Sequence, residues 1–248
     1  MVSLHRSMWY YRSVKDDSEL EMKLEELSIQ LPHRGLDEYY GRLRNQGYSW
    51  GRKRVLRVYR KMKLQLRRKR KRRITGRIKR PLTLPIKTNI IWSMDFMHDV
   101  LENGRKFRVL NLMDDHNREA LAVEAAHSFP SERVVDLLDR ITDYRGKPEG
   151  IRVDNGSEFI SHNFKNWCGD KEINILYTQP GKPTQNAYIE RFNRHYREDI
   201  LDAYIFENIK DVKELSENWR NDYNHYHPHK SLLGMSPLEF INARENDP

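Results

Sequence analysis

The sequence predicts an α/β protein, a mixed sheet with flanking helices, preceded by a small all-helical unit of helix-turn-helix character. Three observations predict it. Charge divides the chain unevenly: residues 1–88 hold 25 Lys+Arg against 8 Asp+Glu, a net +17, whereas residues 89–248 hold 20 against 28, a net −8. Apolar spacing changes at the same place, from the three-to-four-residue period of helices to short runs bounded by turn residues. Those runs then alternate with helical stretches, the order that builds an α/β sheet.

The first unit, residues 1–66, reads as three helices. In DDSELEMKLEELSIQLP, Leu20, Leu24, Leu27 and Leu31 recur at helical spacing, with Ser18 and Glu21 in capping-box positions. GLDEYYGRLRNQG repeats the pattern through Leu36, Tyr39, Tyr40 and Leu43, and Gly47 is the stop. A third helix, roughly 51–64, turns Val55, Leu56, Tyr59 and Met62 to one side and carries Arg52, Lys53, Arg54, Arg57 and Arg60 around the rest. Two short helices joined by a Gly-containing turn, the second rich in arginine, suit a module that lies along DNA, with Arg52, Lys53 and Arg57 as candidate contacts. A basic face that merely meets solvent is the plainer alternative.

RRKRKRR, residues 67–73, is a run of seven cations that repels itself and cannot enter a core. Lying between two patterned regions, it reads as a phosphate-binding arm, with Arg67, Arg68, Lys69 and Arg70 as candidates. Pro81 and Pro85 close this linker, assigned to residues 67–88.

From residue 89 the pattern is that of the sheet. IIWSMDFM, KFRVLNLMDD and EALAVEAA are three successive antiparallel strands. PSERVVDLLDRITDYRG is a helix with Val134, Leu137, Leu138, Ile141 and Tyr144 on its inner face, Pro130 at its start and Gly146 past its end. GIRVD is a fourth strand, SHNFKNWCGDKEI a helix and NILYT a fifth strand. PTQNAYIERFNRHYREDILDAY is then one long helix, and further helices complete the unit 89–248.

Composition sets limits. With 38% apolar and 33% charged residues and a pI near 9.5, the chain has enough apolar side chains for a core and a basic excess that points to a polyanion. No run approaches the ~20 apolar residues of a membrane span, and the N-terminus lacks the apolar stretch of a secretory signal. Cys168 is the single cysteine, which excludes an internal disulfide and a cysteine-based zinc site in this chain. A reducing cytoplasm fits, with no membrane partner.

The order of elements positions three carboxylates. Asp95 falls within the first strand, Asp154 at the exit of the fourth and Glu190 early on the helix after the fifth. Strands one and four lying side by side would bring Asp95 and Asp154 to one edge, with Glu190 reaching them from the helix. Three carboxylates so placed repel one another unless a cation stands among them. Oxygen-only ligands select Mg²⁺, with Mn²⁺ as a substitute, and two such ions suit attack on a phosphodiester.

These residues carry a family resemblance. WSMDFM, RVDNGSEF and QPGKPTQNAYIERFNRHYRE, with 35 residues between Asp154 and Glu190, resemble the Asp-Asp-Glu core shared by retroviral integrases and bacterial insertion-sequence transposases. The match is to the second open reading frame product of the insertion sequence 3 family. NDYNHYHPHKSLLGMSPLEF looks like that family's closing motif, and GLDEYYGRLRNQGYSWGRKRVLRVYRKMKL is similar to the helical module ahead of its core. The resemblance implies an RNase H-like, integrase-type fold, two bound Mg²⁺ held by Asp95, Asp154 and Glu190, and cleavage of DNA followed by strand transfer. It implies as partners the terminal inverted repeats and target DNA, further copies of the chain on that DNA, and fusion or pairing with an upstream-frame product, since the chain begins inside the family's usual pattern at LHRSMWYYRS. Two other readings stand beside it: a transposase-derived DNA-binding protein without catalysis, and an RNase H-type nuclease without joining.

Neighbouring residues follow by spacing. Arg194 and Arg197 share the helix face of Glu190 and are candidate DNA contacts, with pairing to Glu198 or Asp199 as the alternative. Lys182 lies in the Gly/Pro-rich segment before that helix and is a further DNA candidate. Asn155 and Gly156 shape the loop of Asp154, and Asn186 is a helix cap or a substrate contact. Asp114 and Asp115 read as a turn more than as metal ligands, His225, His227 and His229 as surface or DNA-facing residues, and Trp167 and Cys168 as core. In the family an Arg commonly stands at position 227.

Overall fold

In the computed structural model the described residues are 16–66, 85–179 and 186–245. The candidates Arg67, Arg68, Lys69, Arg70 and Lys182 lie outside them.

The first elements among the described residues are three helices: α1 (Ser18–Gln30), α2 (Leu36–Asn45) and α3 (Arg52–Lys61). Leu20, Leu24, Leu27 and Leu31 meet Tyr39, Leu43, Val55, Val58 and Tyr59 in a core of their own. Val58, rather than Leu56, is the fully buried aliphatic of α3 beside Val55. The capping box expected at Ser18 and Glu21 does not form. Asp17 takes the N-cap position, and its carboxylate turns instead to Arg54 (2.9 Å) and Arg57 (2.6 Å) of α3, because two guanidinium groups compete for it. Gly47 ends α2 with φ +91°, a backbone conformation that glycine adopts without strain.

The sheet contains β1 (Ile91–Val100), β2 (Lys106–Asp114), β3 (Ala120–Ala126), β4 (Gly150–Val153) and β5 (Asn174–Tyr177) in the spatial order β3-β2-β1-β4-β5. β1, β2 and β3 form an antiparallel meander, while β4 pairs parallel to β1 and β5 parallel to β4. On one face, Trp92, Met94, Leu110 and Leu112 pack on α4 (Ser131–Arg145) and α6 (His162–Asp170), the short α5 (Ser157–Ile160) lying between β4 and α6. On the other, Met97, Phe107, Val109 and Met113 pack on α7 (Ala187–Tyr196) and α8 (Ile209–Tyr226). This is the mixed, RNase H-like sheet with flanking helices that the sequence predicts.

Three details differ. Tyr144 is 71% exposed, because the last turn of α4 buries none of its residues. The long helix expected after β5 runs regularly only as α7 and widens into a π-turn over Arg197–Leu201, whose Glu198 and Asp199 receive Arg34. After it comes α8, with the full capping box at Asn208 and Asp211, and then α9 (Pro237–Glu245). Among the described residues no helix is long and apolar enough to cross a membrane.

The helical unit docks on the end of the second layer. Arg42 is buried and bonds Glu38 at 3.0 Å and Asp222 of α8 at 2.5 Å, and Arg34 bonds Glu198 at 2.9 Å and Asp199 at 3.0 Å. Gly41 is in α2 because of this docking: a Cβ there would lie 2.5 Å from the ring of Pro228. Gly41→Ala gains about 1 kcal/mol in helix propensity but forces an overpacked contact worth about 1–3 kcal/mol. A net loss of stability is therefore expected, read as a lower urea midpoint of the whole chain; a higher midpoint would show that α2 and the segment at Pro228 are not in contact.

Candidate active site

The parallel pairing of β1 with β4 sets Ser93 opposite Arg152. Two residues further along the two chains stand Asp95 and Asp154, the latter immediately past the last residue of β4. Helix α7 lies across this end, with Ile189, Phe192 and Tyr196 buried against the sheet and Glu190 exposed. Asn193, three residues after Glu190 and so on the same helix face, donates its Nδ2 to Asp95 Oδ2 at 2.7 Å. The three sequence-predicted carboxylates thus gather at one end of the sheet.

Their surroundings differ. Asp95 is partly buried, its Oδ1 accepting the Phe96 N–H at 2.8 Å and its Oδ2 the Asn193 amide. Burial pushes its carboxyl up to about 6; the charges of Asp154 and Glu190 press it the same way, and the two hydrogen bonds oppose them. Asp154 is exposed, and its Oδ1 accepts the Gly156 N–H at 2.9 Å. It caps its own turn with that oxygen. The Asn155 side chain holds that turn to the Thr178 carbonyl at 3.3 Å, and Arg108 of β2 pairs with Glu158 of the same motif. Among the described residues no three His, Cys, Asp or Glu side chains stand close enough to hold a single ion.

Other candidates fall into place around this cluster. Arg194 is exposed on α7, whereas Arg197 bonds Asp99 at 3.3 Å and the His98 carbonyl at 3.0 Å on β1. Glu198 and Asp199 are not its partners, being taken by Arg34. In α3, Lys53 is exposed, Arg52 pairs with Asp37 at 2.7 Å and Arg57 with Asp17, and both arginines keep half their surface in solvent. Asn186 occupies the N-cap position of α7, but its side chain makes no capping bond.

Asp114 and Asp115 are fully buried structural groups. Asp114 accepts the backbone N–H of Asn89 and His116 at 2.8 Å each, and Asp115 receives Ser93 Oγ at 2.6 Å together with Arg152. The histidines need correction. His225 is exposed, but His227 is buried with Nδ1 2.9 Å from Glu38 Oε1 and its ring stacked on Tyr223, and it also contacts the rings of His195 and His229. Burial holds His227 and His229 well below the usual histidine range. The segment after α8 folds back beneath the helical unit instead of facing outward. Trp167 and Cys168 are core, as read from the sequence, and burial pushes the thiol up to about 12.

Two residues with a part in the site were not singled out from sequence. Asn193 lies three positions after Glu190, a spacing that places it on the same helix face. Asn111, whose Nδ2 donates to Asn193 Oδ1 at 2.7 Å, interrupts an apolar strand.

The integrase core domain family matches the chain in two parts, residues 86–183 and residues 171–237. An uncharacterised 31.7 kDa protein of insertion element IS407 from Burkholderia multivorans is 35% identical over 97% of this chain and 87% of its own length. The transposase InsD of insertion element IS2 from Escherichia coli is 27% identical over 92% of this chain and 80% of its own. Among solved structures, a chain of a simian T-cell lymphotropic virus intasome in complex with PP2A regulatory subunit B56 gamma superposes with a TM-score of 0.52 at 18% identity, covering 90% of this chain and 76% of that one. That likeness is one of fold.

The raised Asp95 carboxyl carries a pH signature. A folded-state value above the unfolded one means that the fold binds the proton better, so its contribution is present near pH 4 and is lost as pH rises through about 6. Asp95→Asn in the presence of a chelator is therefore expected to stabilise the protein by roughly 2 kcal/mol near pH 7.5, allowing for partial exposure, and by almost nothing near pH 4. Urea midpoints at the two pH values check it; equal effects at both would contradict the raised carboxyl that burial, joined by the charges of Asp154 and Glu190, gives Asp95.

Proposed function

Since the chain belongs to the insertion-element transposases built on an integrase core and related to retroviral integrases, we propose that Asp95, Asp154 and Glu190 are its catalytic carboxylates and hold two Mg²⁺ ions. The protein is a transposase, a polynucleotidyl transferase that cleaves DNA and transfers strands. One observation carries the assignment of residues. The parallel pairing of β1 with β4 brings Asp95 and Asp154 to the same end of the sheet, and Asn193, three residues after Glu190 on α7, bonds Asp95 Oδ2 there at 2.7 Å, an approach of three acids whose like charge a bound cation relieves.

The donors fit such ions. All three are carboxylate oxygens, the ligand type that selects Mg²⁺, with Mn²⁺ as a substitute. Mg²⁺ commonly takes one or two protein carboxylates and completes its shell with water and substrate phosphate, so a cage of three protein groups around one ion is not required. When bound, the two ions lower the pKa of the attacking water or hydroxyl and neutralise charge on the leaving oxygen.

The residues of the chain place the DNA. Asp95 is bonded to Asn193 of the helix that carries Glu190, and Asp154 is fixed by its own turn, so the directions of these two carboxylates are set before substrate arrives. Arg194, one turn beyond Glu190, faces the phosphate next to the cut. Lys53, with the half-exposed Arg52 and Arg57, meets the backbone further along, and Lys182, Arg67, Arg68, Lys69 and Arg70 are further cations for phosphate contact. Water attacks the phosphodiester at an element end and releases a 3′-hydroxyl; that hydroxyl then attacks a target phosphodiester and displaces its 3′-oxygen. Joining two ends calls for more than one copy of the chain on the DNA, and pairing with an upstream-frame product would add recognition of the inverted repeats.

The test uses duplexes carrying an element end, with Mg²⁺ or Mn²⁺. Wild type is expected to nick and join; Asp154→Asn and Glu190→Gln are each expected to lose about 10³-fold in both steps while keeping DNA affinity within about threefold, because phosphate contacts dominate affinity. Cut ends without joined product would identify a nuclease, and binding with neither product would identify a DNA-binding relic. Full activity in either variant would remove the carboxylate assignment.

A further inference from the structure

Successive residues of β2 alternate between the two faces of the sheet. Leu110 and Leu112 pack in the layer of α4 and α6, and Val109 and Met113 in the layer of α7 and α8. Asn111 stands between Val109 and Met113 with none of its surface exposed. An apolar side chain would complete that stripe, so an amide here calls for an explanation. It is also the cross-strand partner of Asp95.

Its hydrogen bonds run one way. Asn111 Nδ2 donates to Asn193 Oδ1 at 2.7 Å and lies 3.3 Å from Met97 Sδ, while Asn111 Oδ1 is buried without a partner. An ionised carboxylate only accepts, so Asn193 must turn its NH₂ toward Asp95 and its carbonyl away. That carbonyl then needs a donor, which Asn111 supplies. Turning either amide over sets two oxygens against each other. The stranded Asn111 carbonyl is therefore the consequence of holding Asp95 in one orientation.

We infer that Asn111 is a positioning residue for the metal-dependent reaction: by fixing the Asn193 amide it holds Asp95 Oδ2 against α7 and thereby sets the spacing between Asp95 and Glu190. The inference rests on the reading of those two carboxylates as metal ligands. Asn111 touches neither the metal nor the DNA, and it acts through Asn193 alone. That restriction gives the test its form.

In the full chain, Mn²⁺ binding is measured by calorimetry for wild type, Asn111→Leu, Asn111→Val, Asn193→Ala and Asn111→Leu/Asn193→Ala, with Asp95→Asn as the reference for ligand loss. The apolar variants are expected to fold with midpoints at or above wild type and to bind Mn²⁺ roughly 10- to 100-fold more weakly, the range for a partner that orients a ligand. The double variant is expected to be no weaker than Asn193→Ala, because the two residues work in series. Wild-type affinity in the apolar variants overturns the inference. So does a double variant in which the losses multiply, or failure of both apolar variants to fold, since either makes Asn111 a residue of general structure. Wild-type Mn²⁺ binding that is indifferent to Asp95→Asn would instead overturn the metal site on which the inference rests.

Discussion

Negative charge crowded into a half-buried space at the end of β1 and β4 is the constraint on which the rest of this structure turns. The groups that hold those carboxylates are neutral: the Phe96 and Gly156 backbone N–H and the Asn193 amide. Neutral donors fix the direction of a carboxylate without cancelling its charge. An arginine in their place would satisfy the same oxygens and remove the site's attraction for a cation. Two acids outside the cluster are treated the other way, the buried Asp115 being met by Arg152 and the partly buried Glu158 by Arg108.

The helical unit bears on the same helix segment from its far end. Arg34 reaches Glu198 and Asp199 in the π-turn that continues α7, and Trp219 of α8 donates its indole N–H to Asp199 at 3.0 Å. Glu190 and Asn193 lie in the first part of that segment and Arg34 grips the last, so the seating of the basic module and the orientation of the site share one structural element. The contact is polar at its centre, with Arg42 between Glu38 and Asp222 and His227 held neutral beneath them. Removing one member of such a buried network leaves a charge uncompensated, which costs more than the pair contributes when whole.

Periodicity made most of the fold legible. The antiparallel runs of β1 to β3, the inner faces of α4 and α6, and the positions of Asp95, Asp154 and Glu190 on strand, strand exit and helix could all be read because each rests on local spacing. What sequence did not disclose depends on contacts between distant segments. The Ser18 and Glu21 capping box gave way to Arg54 and Arg57, some forty residues on, competing for Asp17. His227 looked like a surface group because nothing near it in the chain announces that Glu38 and Tyr223 will enclose it. Asn111 was visible as a polar interruption, yet its meaning depends on Asn193, 82 residues away, facing it.

The division of charge between the halves is also explained by this docking. An acidic body joined to a basic module reads from sequence as a body that holds cations or meets DNA through patches. Part of that acidity has another use: Glu198, Asp199 and Asp222 receive arginines of the helical unit. Those arginines are withdrawn from the surface, as are Arg54 and Arg57 to the extent that Asp17 engages them. What stays outward is a smaller set, with Lys53 on α3 and Arg194 beside the carboxylates. A net charge of +17 over residues 1–88 therefore overstates the attraction that the docked helices themselves can exert on a polyanion. The seven cations of the 67–73 arm, with no acid within their own run to answer them, are the densest part of that charge.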